Sequence, residues 1–303
     1  MKYTAKANTP VKVMNEICAV VMQSANAIAK KIDATHIFVI SDEIFEEETF
    51  EVPVTFIQTS SIARELAEDL KEIFSTDVLQ SLKYEVVVPT IKNFKIVQDI
   101  ATLAYINDIV TEGYIIGLLC LHNLSSIIIS DVTQLITVRA IEESSERIDA
   151  ATLKAILSLA LEIGQEGREG KKVGTAFIIG DTEEVLRRSH QLILNPFQGH
   201  PDEERDIKNK AHWETIKEFA QIDGVFIINE KGIIISAGRY LDVDTKSVQL
   251  EGLGGRHISA SAITRDTQAI AVTVSESGGT VRIFKDSIET KIEPSAYLLY
   301  LLP

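Results

Sequence analysis

The chain has 303 residues, of which 45% are apolar and 24% charged. That is enough for about two domains that each bury a core without disulfide support. The net charge of −14 speaks against a phosphate-backbone partner, which needs a basic face, although a local basic pocket for a small anion is compatible with an acidic protein. No apolar run approaches the ~20 residues that a membrane helix requires. Lys2, Lys6 and Lys12 are not followed by the apolar core and cleavage site of a secretory leader, so a soluble, cytoplasmic protein is expected. Cys18 and Cys120 stand far apart inside apolar runs and have no zinc spacing, and are expected to be buried, reduced thiols.

Val11 to Ile32 has helical periodicity, with Ile17, Val20, Val21, Ala25 and Ile28 on one stripe. "HIFVI" (36–40) and "VTFIQT" (54–59) read as strands, with the acidic run from Asp42 to Glu51 as a solvated loop between them. Ser60 to Phe74 reads as a helix, "YEVVVP" (84–89) as a strand and "IVQDIATLAYI" (96–106) as a helix. "GYIIGLLCL" and "SSIIIS" follow as strands. This alternation predicts an α/β domain, a mostly parallel sheet with helices on both faces. The character changes near residues 138–148, which places the boundary at 143/144 and gives domains 1–143 and 144–303.

In the second half "ERIDAATLKAILSLALEIGQEGREG" is a helix that stops at glycines. "KKVGTAFIIGD" is a strand with Gly174 at its mouth, and "PDEERDIKNKAHWETIKEFAQID" is a helix opened by Pro201 and acids. "GVFIIN", "GIIISA" and "AIAVTVSE" are strands, and "SGGTVRIF" gives a Gly278-Gly279 turn between the last two strands. The expected class is α+β, a mixed central sheet flanked by helices.

No Walker-type loop, Gly-x-Gly-x-x-Gly after a strand, or Gly-x-Ser-x-Gly is present. His190, His200 and His212 have no ligand spacing with acids and read as surface or satisfied histidines, and Trp213 reads as packing. Three segments carry chemistry. In "GLGGRHISA" (252–260), Gly254 and Gly255 let a backbone approach a ligand, the helix start favours an anion, Arg256 can fork onto phosphate oxygens, and His257 can donate a further bond; a hairpin turn with a surface arginine fits the same residues. Asp223-Gly224 opens a buried strand, where a carboxylate is costly unless it caps, pairs or binds metal; a plain Asp-Gly turn is the alternative. Ser275 and Glu276 end a strand beside the next turn.

In order and spacing, "DGV" (223–225), "GRYL" (238–241), "GLGGRHISA" (252–260) and "VSESGG" (274–279) resemble the motifs of diadenylate cyclase (DAC) domains. The resemblance spans roughly residues 145–285 and is nearest to the soluble archaeal branch, whose first half resembles the C-terminal domain of pyruvate kinase. It implies an enzyme that joins two ATP into cyclic di-AMP and releases two pyrophosphates. It implies that Asp223 binds the catalytic divalent ion, Mn²⁺ or Mg²⁺, and helps activate the ribose 3′-hydroxyl. Gly224 and Val225 would lie beside the nucleotide, Tyr240 and Leu241 would flank adenine, and Arg256 and His257 would bind the triphosphate with the Gly254-Gly255 amides. Ser275 and Glu276 would stand near phosphates and metal. The family usually has alanine at 225, threonine at 255 and glutamate at 277, where this chain has Val225, Gly255 and Ser277. A product with two equivalent linkages implies a face-to-face dimer at least, with no nucleic-acid or membrane partner. Two other readings stay open: a sensor of ATP or cyclic di-AMP without catalysis, and a pyruvate-kinase-like regulatory protein without nucleotide chemistry.

Overall fold

A computed structural model describes residues 16–41, 50–58, 94–121, 124–245 and 253–292. The expected helix 60–74, the strand 84–89 and most of the acidic run 42–51 lie outside the described residues. Tertiary contacts divide the described residues into two compact units, one taking those from 16 to 101 and from 110 to 132, the other 102–109 and those from 133 to 292. By these contacts the change from one unit to the other falls near residue 132. Helix 136–144 packs within the second unit, so its buried Val138 and Ile141 count toward that core.

The first unit contains α1 (Glu16–Ile32), β1 (His36–Ser41), β2 (Val54–Gln58), residues 94–101 of the helix α2 (94–106), β3 (Tyr114–Leu121) and β4 (Leu124–Asp131). The sheet order is β2-β1-β3-β4; β1 runs parallel to both neighbours, and β4 returns antiparallel to β3. On β3, Ile116, Leu118 and Cys120 face α1. Gly117, on the opposite face, lies against Val97 of α2, so closely that no Cβ fits. Helices thus cover both faces of β3, as period-two alternation dictates.

Two expectations for this unit change. The buried stripe of α1 is Cys18, Met22, Ala25 and Ala29, whereas Ile17 and Val20 are exposed. The small Cys18, Ala25 and Ala29 let the helix settle against the sheet; Val21 and Ile28 of the expected stripe pack partly against the same core, while Ile17 and Val20 turn outward. The cysteines are buried, as expected, but they are not separate thiols: Cys18 and Cys120 form a disulfide across a Cα–Cα distance of 5.8 Å. Helix packing brings together residues 102 positions apart, which spacing alone does not reveal.

The second unit begins with α3 (Ile136–Ser144) and α4 (Ala150–Glu166). Asp149 caps α4 by accepting the Thr152 amide, and Gly167 ends it at φ 61°. Then come β5 (Thr175–Ile179), α5 (Thr182–Arg187), β6 (Ser189–Gln191), α6 (Asp202–Arg205), α7 (Trp213–Phe219), β7 (Val225–Ile228), β8 (Ile234–Leu241), α8 (Gly255–Asp266), β9 (Ile270–Val274), β10 (Val281–Lys285) and β11 (Ile288–Ile292). They build a seven-stranded mixed sheet in the order β11-β10-β9-β5-β7-β8-β6, in which β5 and β7 are parallel and the other pairs antiparallel. Ala260 and Ile263 of α8 pack on Ile178, Ile227, Ala271 and Phe284. Burial of each large side chain contributes about 2 kcal/mol. The other face packs against α4.

The continuous helix expected over 201–223 breaks into α6, a 3₁₀ turn (Lys210–His212) and α7. Asp206 accepts the Lys208 amide, and Asn209 accepts the Ala211 amide; such local bonds compete with helix. Ile207 is buried, its amide bonded to the Gly232 carbonyl and its carbonyl taking the Trp213 indole N–H. The Gly278-Gly279 turn joins β9 and β10, which are not the last two strands. β11 follows through a two-residue turn with left-handed Asp286 and Ser287, at φ 52° and 66°.

Candidate functional site

The ends of β5 and β9 and the start of α8 open on one cleft. It has a volume of about 490 Å³ and is lined by Gly174, Gly254, Gly255, Arg256, His257 and Val274 through Ser277. Gly254 is the N-cap of α8. The first amide to bond back within the helix is that of His257, which donates to the Gly254 carbonyl. The amides of Gly255 and Arg256 have no intrahelical acceptor and point with the positive end of the helix dipole. A Cβ at Gly254 or Gly255 would meet nothing within 4 Å, so both present bare backbone to the opening.

Asp223 precedes β7 at the rim. Its carboxylate is 91% exposed and lies 3.2 Å from the Arg256 guanidinium. The expected cost of burying it therefore does not arise: the chain enters the sheet only at Val225, and Asp223 stays in the loop before it. Gly224 is constrained by its backbone. Its φ is 104°, and a Cβ would come within 2.7 Å of the Arg239 backbone, so this tight crossing of β7 and β8 holds Asp223 in place.

On the opposite wall, the Ser275 amide bonds to the Thr280 carbonyl and the Gly279 amide to the Ser275 carbonyl. This closes a tight turn that presents Ser275 and exposed Glu276 to the cleft; the Ser275 and Ser277 hydroxyls are 3.3 Å apart. His257 is buried, and burial first, then the nearby Arg282 cation, lowers its pKa to about 4; it is neutral at physiological pH.

The structure brings Gly254, Gly255, Arg256, His257, Ser275 and Glu276 together, with Asp223 and Gly224 at the rim. Tyr240 is exposed and its ring lies 5.4 Å from that of His190. Val225 and Leu241 are buried in the core that α8 covers, so they support the strands rather than line the opening. Gly174 and Ser277 also line it. Gly174 has a sequence signal, a glycine directly before a buried strand; Ser277 lies inside the "VSESGG" motif, where this chain departs from the family's usual glutamate. The three histidines read from the sequence as surface or satisfied have partners: His190 has Asp242, His200 has Glu204, and His212 has the Glu204 carbonyl. Among the described residues, no three His, Cys, Asp or Glu side chains cluster as a metal site. No helix among them is long and apolar enough to cross a membrane.

An open helix start, an arginine and a strand-end turn meet around one cleft of this mixed-sheet domain. Residues 162–288 match the DAC family model, described as DisA bacterial checkpoint controller nucleotide-binding. Residues 20–133 match the model of the probable sensor domain DacZ_A. The chain is 48% identical over 166 residues to a diadenylate cyclase of Methanocaldococcus jannaschii, covering 54% of this chain and 53% of the relative. It is 40% identical over 157 residues to a diadenylate cyclase of Haloferax volcanii, covering 51% and 57%. It is 26% identical over 154 residues to a DNA integrity scanning protein DisA of Clostridium perfringens, covering 48% and 40%. The chain thus spans about half the length of the curated relatives it matches.

Proposed function

We propose that the second unit is a diadenylate cyclase that joins two ATP into cyclic di-AMP and releases two pyrophosphates. One observation carries this reading: Asp223 and Arg256, 33 residues apart, meet at 3.2 Å over the cleft where α8 begins. Arg256 and the Gly255 and Arg256 amides would hold the triphosphate. His257 would donate to a phosphate oxygen, and Ser275 and Glu276 would order the opposite side. Tyr240, on an exposed strand position, would cover adenine. An exposed ion pair is worth about 1 kcal/mol or less, so the Asp223–Arg256 contact gives way readily when phosphate arrives.

The donors suit a hard divalent ion, Mg²⁺ or Mn²⁺. Asp223 offers carboxylate oxygens, and such ions complete their shells with phosphate oxygens and water. When bound, the ion supplies charge neutralisation at the α-phosphate and acidifies the ribose hydroxyl. The protein's own part is positioning and fixed dipoles. Two equivalent linkages in the product fit two copies meeting face to face, each presenting its ATP to the other. The match of residues 20–133 to a probable sensor domain supports an input role for the first unit. A pyruvate-kinase-like fold for that unit, a boundary at 143/144 and a cytoplasmic location belong to the same proposal.

Incubation of the full chain with ATP and Mn²⁺ or Mg²⁺, with products read by mass, tests the proposal. A cyclic dinucleotide is the expected product. ATP binding with no product under either ion would favour a sensor. Gly255 offers a finer check. Since a Cβ there meets nothing, Gly255→Thr is expected to keep the fold and to lower the KM for ATP about threefold or more, the worth of one added hydrogen bond. An unchanged KM would mean that the 255 position does not face phosphate.

A further inference from the structure

The chemistry above leaves one buried charge unused. Arg282 lies on β10 among buried Val281, Ile283 and Phe284, and its side chain is only 7% exposed. Strand alternation puts it on the same face as Phe284, which packs against Ala260 and Ile263 of α8. A guanidinium in a strand covered on both faces is costly unless its donors are met. Two groups meet two of its five donors. Arg282 Nε donates to Glu289 Oε1 at 2.8 Å, from the neighbouring β11, and a terminal nitrogen reaches His257 Nε2 at 3.5 Å.

A guanidinium has five donors and no acceptor. The His257 nitrogen that faces it must therefore be the bare, accepting one, and the single proton of the neutral ring must sit on Nδ1. The charged groups around the ring agree. Burial and Arg282 disfavour the imidazolium, Glu289 opposes them, and Arg256 adds a smaller push in their direction. The ring stays neutral.

We propose that Arg282, braced by Glu289, is a positioning residue that fixes His257 as the Nδ1–H tautomer, so that the ring offers the cleft a hydrogen-bond donor of set direction. This rests on the reading that the cleft takes a triphosphate. Outer partners of this kind set ring orientation at functional histidines, and losing one commonly costs about tenfold or more.

The test is ¹⁵N spectroscopy of the histidine side chains in the full chain without ATP, with His257 assigned by its loss in His257→Gln. The expected signal is a protonated Nδ1 and a bare Nε2 at neutral pH. Arg282→Met is expected to release the ring into mixed tautomers and to lower kcat about tenfold, with the KM for ATP within about threefold. Arg282→Lys keeps a charge and a donor, and is expected to restore the tautomer and most of the turnover. An Nε2-protonated ring in the native chain overturns the proposal. So does an Arg282→Met variant whose ring and turnover match the native chain. If Arg282→Met does not fold, the native spectrum decides. Native protein that makes no product would remove the diadenylate cyclase reading and leave the tautomer assignment standing.

Discussion

Asp223→Asn is expected to lower cyclic di-AMP formation at least about a hundredfold while ATP affinity changes less than about fivefold. The substitution keeps shape and removes charge. Asp223 is 91% exposed and its one ion pair lies at 3.2 Å on the rim, so the fold has little to lose. Asparagine can still accept a bond from Arg256 through its amide oxygen, so Arg256 remains available for phosphate. The loss falls on the anionic oxygens that would hold a divalent ion beside the α-phosphate. Electrostatic groups acting on charge that develops during reaction are typically worth about 10²–10³ in rate. Mass analysis of products and calorimetric titration with a non-hydrolysable ATP analogue separate the two effects. Product at the native rate would remove Asp223 from the chemistry. Lost ATP affinity together with lost product would assign it to binding alone.

Residues with a local cause were legible before the fold was known. Gly167 ends α4 because left-handed termination is local, whereas the Asp149 cap starts the helix later than the pattern from Glu146 suggests; the apolar runs of β5, β7 and β9 announced buried strands. The cleft residues 254–257 and 275–276 were legible for the same reason, as glycine next to charge at a strand or helix end. What escaped depends on distant partners. Helix 201–223 had the right period, but Ile207 is held by the backbone of Gly232 and by Trp213. The face of α1 was misjudged because the sheet accepts small side chains, which hydropathy ranks low. β11 follows a turn of Asp286 and Ser287 without glycine, so nothing marked it. Asp223 adjoins an apolar strand in sequence, where a carboxylate needs a cap, a partner or a metal; it lies outside the sheet and pairs with Arg256. Nothing in the sequence singles out Arg282. Only the packing of α8 on β10 shows that it is enclosed and faces His257.

Gly164→Ala sets a local rule against a distant contact, and the contact is expected to win. Gly164 is inside α4, where alanine should stabilise by about 1 kcal/mol. An added Cβ, however, would fall deep inside the van der Waals radius of the Gly279 carbonyl oxygen, and a Cβ at Gly279 would meet the Gly164 carbonyl in the same way. These are backbone atoms, so no rotamer change relieves the clash; α4 or the 275–279 turn must move. Overpacking costs about 1–3 kcal/mol even where flexible side chains can yield, and here it should exceed the helix gain, for a net loss of about 2 kcal/mol. The turn has less support than the helix, with two backbone bonds closing it, so it is the part expected to shift. That displaces Ser275 and Glu276 from the cleft wall, and turnover should fall about tenfold in protein that is still folded. Denaturant titration and steady-state rates measured on one preparation check both halves. A more stable variant with native turnover would show that the helix and the glycine turn do not touch, and would detach the 275–279 wall from the support assigned to it.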